Sequence, residues 1–77
     1  MELDEFVARF AEQFDETDPD EITAQTMFHE LEEYTSLIAL SIMAMVDEEY
    51  DVQLRGEDLR NAASVQDLFN VVNTNKG

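Results

Sequence analysis

Several residue types are missing or scarce in this 77-residue chain, which has no cysteine, no tryptophan, one proline and two glycines. Without cysteine there is no disulfide framework, no thiolate nucleophile and no cysteine-based metal site. So little glycine and proline favours helices joined by polar loops over a many-turned β fold. No apolar run reaches the roughly 18 residues of a membrane span, and the acidic start does not resemble a secretory signal. We therefore expect a single cytoplasmic domain over residues 1–77.

Positive charge is also scarce, with four lysine and arginine residues against 19 aspartate and glutamate residues and a formal net charge of −15. A field of this sign repels phosphate backbones and anionic membrane surfaces, so neither nucleic acid nor a membrane is expected as a partner. It favours proteins with basic patches and speeds their encounter. Because 44% of the residues are hydrophobic, we expect a folded, acidic, partner-binding protein rather than a disordered tail.

The stretch from residue 35 to residue 50 predicts a central helix of about four turns. Thr35 or Ser36 can cap its start, because a short side-chain oxygen there accepts from the free amides of the first turn. One broad side gathers residues suited to a core, namely Ile38, Ala39, Ile42, Met45, Val46 and Tyr50. The opposite side mixes apolar and acidic groups. It is either a docking face or a second buried face of a small bundle.

The flanking segments predict further helices. Residues 2–15 carry an apolar stripe at helical spacing, which indicates a core-facing helix: Leu3, Phe6, Val7, Phe10 and Phe14. After the central helix, Asp51 suits a left-handed cap, residues 50–54 alternate as in a short extended link, and residues 56–61 can form a brief helical turn. Ser64-Val65-Gln66-Asp67 is similar to a capping box and opens a last helix, with 73–77 as a frayed tail. The fold class is all-α, with three main helices and one short helix.

Residues 16–34 have no sustained period and predict a long loop, with a turn at residues 17–20. Its apolar residues are expected to anchor it to the core: Ile22, Met27, Phe28 and Leu31. A calcium-loop register from Asp15 fails, because Asp20 stands where glycine belongs and Thr26 where a bidentate glutamate belongs. His29 is the single histidine and is expected on the loop surface. With no nucleophile–base pair and no metal constellation, we expect no catalytic residues, no metal site and no enzyme activity.

Four motifs occur in the order typical of one family. The first two motifs are Phe28-His29-Glu30-Leu31 and Ser36-Leu37. The third is the acidic–aromatic run Asp47-Glu48-Glu49-Tyr50-Asp51-Val52-Gln53-Leu54, and the last is Ala63-Ser64-Val65-Gln66-Asp67-Leu68. Over nearly the whole chain, this order resembles the acyl carrier protein family. The resemblance implies an acyl-carrier-protein-like helical bundle.

It also implies that Ser36 is esterified by 4'-phosphopantetheine, whose thiol carries acyl groups in fatty-acid or related biosynthesis. The implied partners are a phosphopantetheinyl transferase and acyl-transfer and synthase enzymes with basic docking patches, which a monomeric carrier would meet through Leu37, Leu40, Ala44, Asp47 and Glu48. Carriage of aminoacyl or polyketide units, and an acidic adaptor without a prosthetic group, remain alternatives.

The chain departs from the family pattern near the serine. Thr35 stands where the family usually has aspartate, and the segment from Leu31 to Ser36 is one residue longer and lacks glycine. The acids that the family often places early in the central helix are missing, since Ile38, Ala39 and Ser41 occupy that stretch. These differences indicate a specialised carrier.

Overall fold

The computed structural model describes residues 2–76. Within that range the chain forms α-helices and two 3₁₀ turns, Pro19–Glu21 and Phe28–Glu30, and no strand. The helices are α1 Leu3–Ala11, α2 Ser36–Tyr50, α3 Gly56–Asn61 and α4 Val65–Lys76. The prediction of an all-α bundle with three main helices and one short helix is confirmed. None of these helices is long and apolar enough to cross a bilayer.

The aromatic stripe of α1 supplies the centre of the core. Phe6 and Phe10 are fully buried and Phe14 nearly so, as the spacing predicted. The helix is shorter than the predicted 2–15, because after Ala11 the chain tightens into 3₁₀-type bonds. The amide of Gln13 donates to the carbonyl of Phe10, and that of Phe14 to the carbonyl of Ala11. The tighter turn still directs Phe14 into the core.

One side of α2 is core and the other is surface. Ile42 and Val46 are fully buried, while Leu37 is 72% exposed and Leu40 62% exposed. The hypothesis of a second buried face is therefore wrong. Both α1 and α4 pack against α2, and the large side chains of Leu37 and Leu40 stay exposed to solvent.

The link after α2 follows the predicted alternation. Asp51 adopts the left-handed conformation with φ 57°, and its amide donates to the carbonyl of Asp47. Tyr50, Val52 and Leu54 are buried, whereas the residues between them are exposed. An aspartate tolerates this backbone conformation better than most residues, so it can end the helix without glycine.

The start of α4 has the predicted capping box. The Ser64 hydroxyl accepts from the amide of Asp67 at 3.2 Å, and the Asp67 carboxylate accepts from the amide of Ser64 at 3.3 Å. The predicted frayed tail is wrong for residues 73–76, which continue the helix, and Gly77 lies outside the described residues. Extending an existing helix costs much less than starting one, so the polar residues of the last turn can follow the buried turns before them.

The long loop is attached to the core at some of its predicted anchors. Ile22 and Phe28 are buried and Leu31 partly so, but Met27 is 47% exposed, so its prediction as an anchor is wrong. Met27 precedes the 3₁₀ turn that directs Phe28 inward, and the backbone there turns its neighbour outward. The loop also bonds to α4, because its backbone carbonyls accept the first amides of that helix: Val65 to Thr26 at 3.1 Å and Gln66 to Ala24 at 2.9 Å.

Candidate functional site

The candidate site begins at Ser36, the first residue of α2. Thr35, and not Ser36, caps the helix, because its Oγ1 accepts from the amide of Ile38 at 3.4 Å while its carbonyl accepts from Ala39 at 2.9 Å. Ser36 is exposed, and within residues 2–76 its hydroxyl makes no hydrogen bond. Because Thr35 caps the helix, the Ser36 oxygen is not needed for capping and is accessible for covalent modification.

The start of α2 is electrostatically suited to an anion. The first amides of a helix have no acceptor within the helix, and the helix dipole places partial positive charge at this end. The first turn of α2 contains no acidic residue, although the chain as a whole is strongly acidic. A phosphate ester formed at Ser36 would therefore meet donors and not carboxylates.

A pocket of about 440 Å³ opens beside Ser36, between α2 and α3. We call it the Ser36 pocket. Its apolar wall consists of Ala39, Leu40, Met43 and Leu59. Its polar rim includes His29, Tyr34, Thr35 and Arg60 as well as Ser36 itself. The volume is in the range of small-molecule sites, and a mostly apolar wall with a few polar groups is typical of them.

His29 fixes one edge of this pocket. Its Nε2 lies 2.8 Å from the carbonyl oxygen of Leu59 and 2.9 Å from that of Ala62, at the end of α3. Its ring stacks on Phe28 with centroids 4.4 Å apart and meets Tyr34 edge-on at 5.2 Å. Sequence reasoning placed His29 correctly on the surface but missed these contacts, which span about thirty residues and have no local signal.

Tyr34 contributes the aromatic part of the rim. It is half-buried, and burial raises the pKa of its phenol. The group therefore stays neutral at ordinary pH and adds a hydroxyl but no charge to the pocket.

Glu33 holds the segment that leads into α2. Its carboxylate accepts from the amides of Asp15, Glu16 and Thr17 and from the Thr17 hydroxyl, at 2.7 to 3.1 Å. Desolvation by burial acts to raise the pKa of this carboxyl, but the hydrogen bonds, led by that from Thr17, outweigh it and lower the pKa. Glu33 lies in the segment that departs from the family pattern, and the hydrogen bonds by which it joins that segment to residues 15–17, in the loop after α1, were not predicted.

The residues predicted for docking lie together on the surface of α2. All five are exposed: Leu37, Leu40, Ala44, Asp47 and Glu48. They form a strip that is apolar at the Ser36 end and acidic at the other end. We call this strip the docking face. Beside its acidic end, Arg9 bridges α1 to α2 through Glu49 at 2.8 Å and also pairs with Glu5 at 2.9 Å.

The histidine near Ser36 is not oriented as a base toward the Ser36 hydroxyl. A catalytic serine requires an oriented base, yet the Nε2 of the single histidine is occupied by two carbonyl oxygens. What remains is a free hydroxyl at the positive end of a helix beside an apolar pocket.

Comparison with known families identifies the class. Residues 4–72 match the family described as the phosphopantetheine attachment site, and the chain belongs to that family. Its cofactor is covalently attached 4'-phosphopantetheine, and the protein is a phosphopantetheine carrier of the acyl carrier protein type. Carriers of this kind work with a phosphopantetheinyl transferase and with enzymes that handle acyl groups. Comparisons with curated proteins and with solved structures gave no match.

Proposed function

We propose that Ser36 is the residue esterified by 4'-phosphopantetheine, and that the chain carries acyl groups on this arm in fatty-acid or related biosynthesis. The observation that supports this most is the free, exposed hydroxyl of Ser36 at the start of a helix that Thr35 already caps. The other hydroxyls nearby are poorer candidates. Ser64 is engaged in the capping box of α4, and Ser41 is half-buried in the middle of α2.

The surrounding residues have distinct parts in this function. When bound, the arm supplies a thiol that holds acyl groups as thioesters. The first amides of α2 and its dipole favour the negative charge of the ester linkage at Ser36. Ala39, Met43 and Leu59 offer an apolar surface on which the chain of a bound acyl group can be sheltered from water.

The docking face gives this carrier a means of recognition. Leu37 and Leu40 place large apolar side chains in water, which favours a partner with an apolar depression. Asp47 and Glu48 at the far end favour basic groups on the same partner. We propose that the transferase and the acyl-handling enzymes bind here, with the apolar contact close to Ser36 and the ionic contact about three turns further along α2.

Attachment can be tested by intact mass. The protein is incubated with a broad-specificity phosphopantetheinyl transferase and coenzyme A, alongside Ser36→Ala and the matched control Ser41→Ala. Wild type and the control should gain the mass of one phosphopantetheine, and Ser36→Ala should gain none. Addition to Ser36→Ala would overturn the assignment. Absence of addition to every variant would favour an acidic adaptor without the arm.

A further inference from the structure

Arg60 is the exception among the described basic side chains of this chain. Arg9 is bound between Glu5 and Glu49, and Arg55 lies 3.8 Å from Glu57. Arg60 has no hydrogen-bond or ion-pair partner within residues 2–76. In a chain with 19 acidic residues and only four basic ones, an unpaired guanidinium is not explained by any contact of the fold.

Arg60 lies at the rim of the Ser36 pocket. It lines the Ser36 pocket, and its Nη1 lies 3.6 Å from the point that a Cβ on Gly56 would occupy, so it rests over the start of α3. None of the described residues that line the pocket is acidic. On a protein of net charge −15, this pocket therefore has an arginine on its rim and no carboxylate among its lining residues.

We infer that Arg60 makes the Ser36 pocket a binding site for an oxyanion on the group attached at Ser36. This inference rests on the proposed attachment. A guanidinium presents two parallel N–H donors that match the paired oxygens of a carboxylate or a phosphate. Two such anions belong to the attached group: the phosphodiester of the arm itself, and a carboxylate at the free end of a dicarboxylic acyl cargo. The apolar wall then takes the methylenes between thioester and carboxylate.

The test compares Arg60→Gln with Arg55→Gln. Both substitutions remove one exposed positive charge, Arg60 within α3 and Arg55 directly before it, but Arg55 does not line the pocket. Each protein is prepared unmodified, with the arm alone, with an acetyl cargo and with a succinyl cargo, by using the transferase with coenzyme A, acetyl-coenzyme A or succinyl-coenzyme A. Intact mass confirms loading, and Tm is measured for every form. The ³¹P resonance of the phosphodiester is recorded for the loaded forms.

Pairing with the cargo carboxylate predicts that succinyl loading raises Tm above acetyl loading by about 2–4 °C, the size expected for one solvent-accessible ion pair in a domain of this length. Arg60→Gln should lose this gain, and Arg55→Gln should keep it. If Arg60 pairs with the phosphodiester instead, Arg60→Gln should lower Tm by the same amount in all three loaded forms. Its ³¹P resonance should also be displaced from that of the wild type. Either pattern supports the inference and names the anion.

Two results would overturn it. In the first, Arg60→Gln and Arg55→Gln behave alike in every loaded form. In the second, Arg60→Gln loses as much stability in the unmodified protein as in the loaded forms, which would assign Arg60 to the fold. Both leave attachment at Ser36 standing. Failure to load any variant would remove the proposed function and this inference together, and the mass measurement separates that case from the other two.

Discussion

The Nε2 atom of His29 lies 2.8 Å from the carbonyl oxygen of Leu59, and the bond joins the loop before α2 to the end of α3. Carbonyl oxygens only accept hydrogen bonds, so Nε2 carries the proton and donates it. The short helix α3 forms one side of the Ser36 pocket, and its own buried contribution is small, with Leu59 as its buried side chain. The imidazole therefore helps to keep that side of the pocket in place.

Replacing His29 should loosen α3. His29→Ala removes one hydrogen bond to two carbonyls and should lower the free energy of unfolding by about 1 kcal/mol, or Tm by roughly 4–8 °C. Amide hydrogen exchange should accelerate at residues 57–62 and stay unchanged in α1. The control is Glu30→Ala, since Glu30 is the exposed neighbour in the same turn and makes no side-chain bond within residues 2–76. Unchanged exchange in α3 of His29→Ala would contradict this role.

Substitutions at Thr35 and Ser36 should have different effects. The first should lower the stability of the fold, and the second should prevent modification with little effect on stability. Thr35→Ala removes the cap and should cost about 0.5–2 kcal/mol. The low end is expected, because the bond to the Ile38 amide is long at 3.4 Å. Ser36→Ala removes a hydroxyl without a partner and should change the free energy of unfolding by less than about 0.5 kcal/mol. Urea unfolding of both variants checks this. A larger loss for Ser36→Ala than for Thr35→Ala would show that Ser36 is the cap.

The hydrogen-bonded carboxylate of Glu33 should make stability depend on pH. Its pKa is lower in the folded protein than in the unfolded chain, so its contribution is complete above the ordinary pKa of about 4.3 and is lost as the pH falls through the folded value. Glu33→Gln should therefore be less stable than wild type at pH 7, and the difference should shrink below pH 4. Glu32→Gln is the control, because it makes the same charge change at an exposed neighbour. If the free energies of unfolding of Glu33→Gln and Glu32→Gln depended on pH in the same way, the hydrogen bonds of Glu33 would not contribute to stability.

Charge reversal on the docking face should slow partner binding. Glu48→Lys should reduce the association rate with the transferase several-fold at low salt and change the dissociation rate less, because rim charges mainly steer the encounter. The difference should fall between 0.01 M and 0.1 M salt, as the Debye length drops from about 30 Å to about 10 Å. Glu21→Lys, an exposed reversal in the loop, should have a smaller effect. Equal association rates for the two variants would place the contact elsewhere.

Local features of this fold were predictable because each is a short-range pattern. The spacing of Phe6, Phe10 and Phe14 identifies the buried side of α1, and the serine–aspartate spacing at Ser64 identifies the start of α4. Asp51 marks the end of α2 for a similar reason, since a left-handed residue is needed there. In each of these patterns, successive residues are no more than four positions apart.

The ties around the candidate site were not predictable in the same way. His29 bonds to the end of α3 across about thirty residues, and Glu33 bonds to the loop after α1 across sixteen to eighteen. Whether Arg60 faces a pocket or solvent depends on the path of the chain from residue 51 to residue 56. No periodicity fixes these pairings, because they arise from how separate elements pack. The sequence motifs therefore predict Ser36 as the attachment residue, whereas only the structure shows the residues that surround it.

The two main-chain hydrogen bonds between the loop and α4 limit which changes the loop sequence can accept. Because the acceptors are the carbonyls of Ala24 and Thr26, these bonds do not depend on which side chains stand at those positions. They depend on the number of residues that lead to them. Exchanges of residue type are therefore tolerated at Ala24 far better than insertions or deletions nearby. A peptide tag or a reporter inserted between residues 23 and 26 would break these two bonds at the start of the last helix, even though this loop is the longest connection in the described chain.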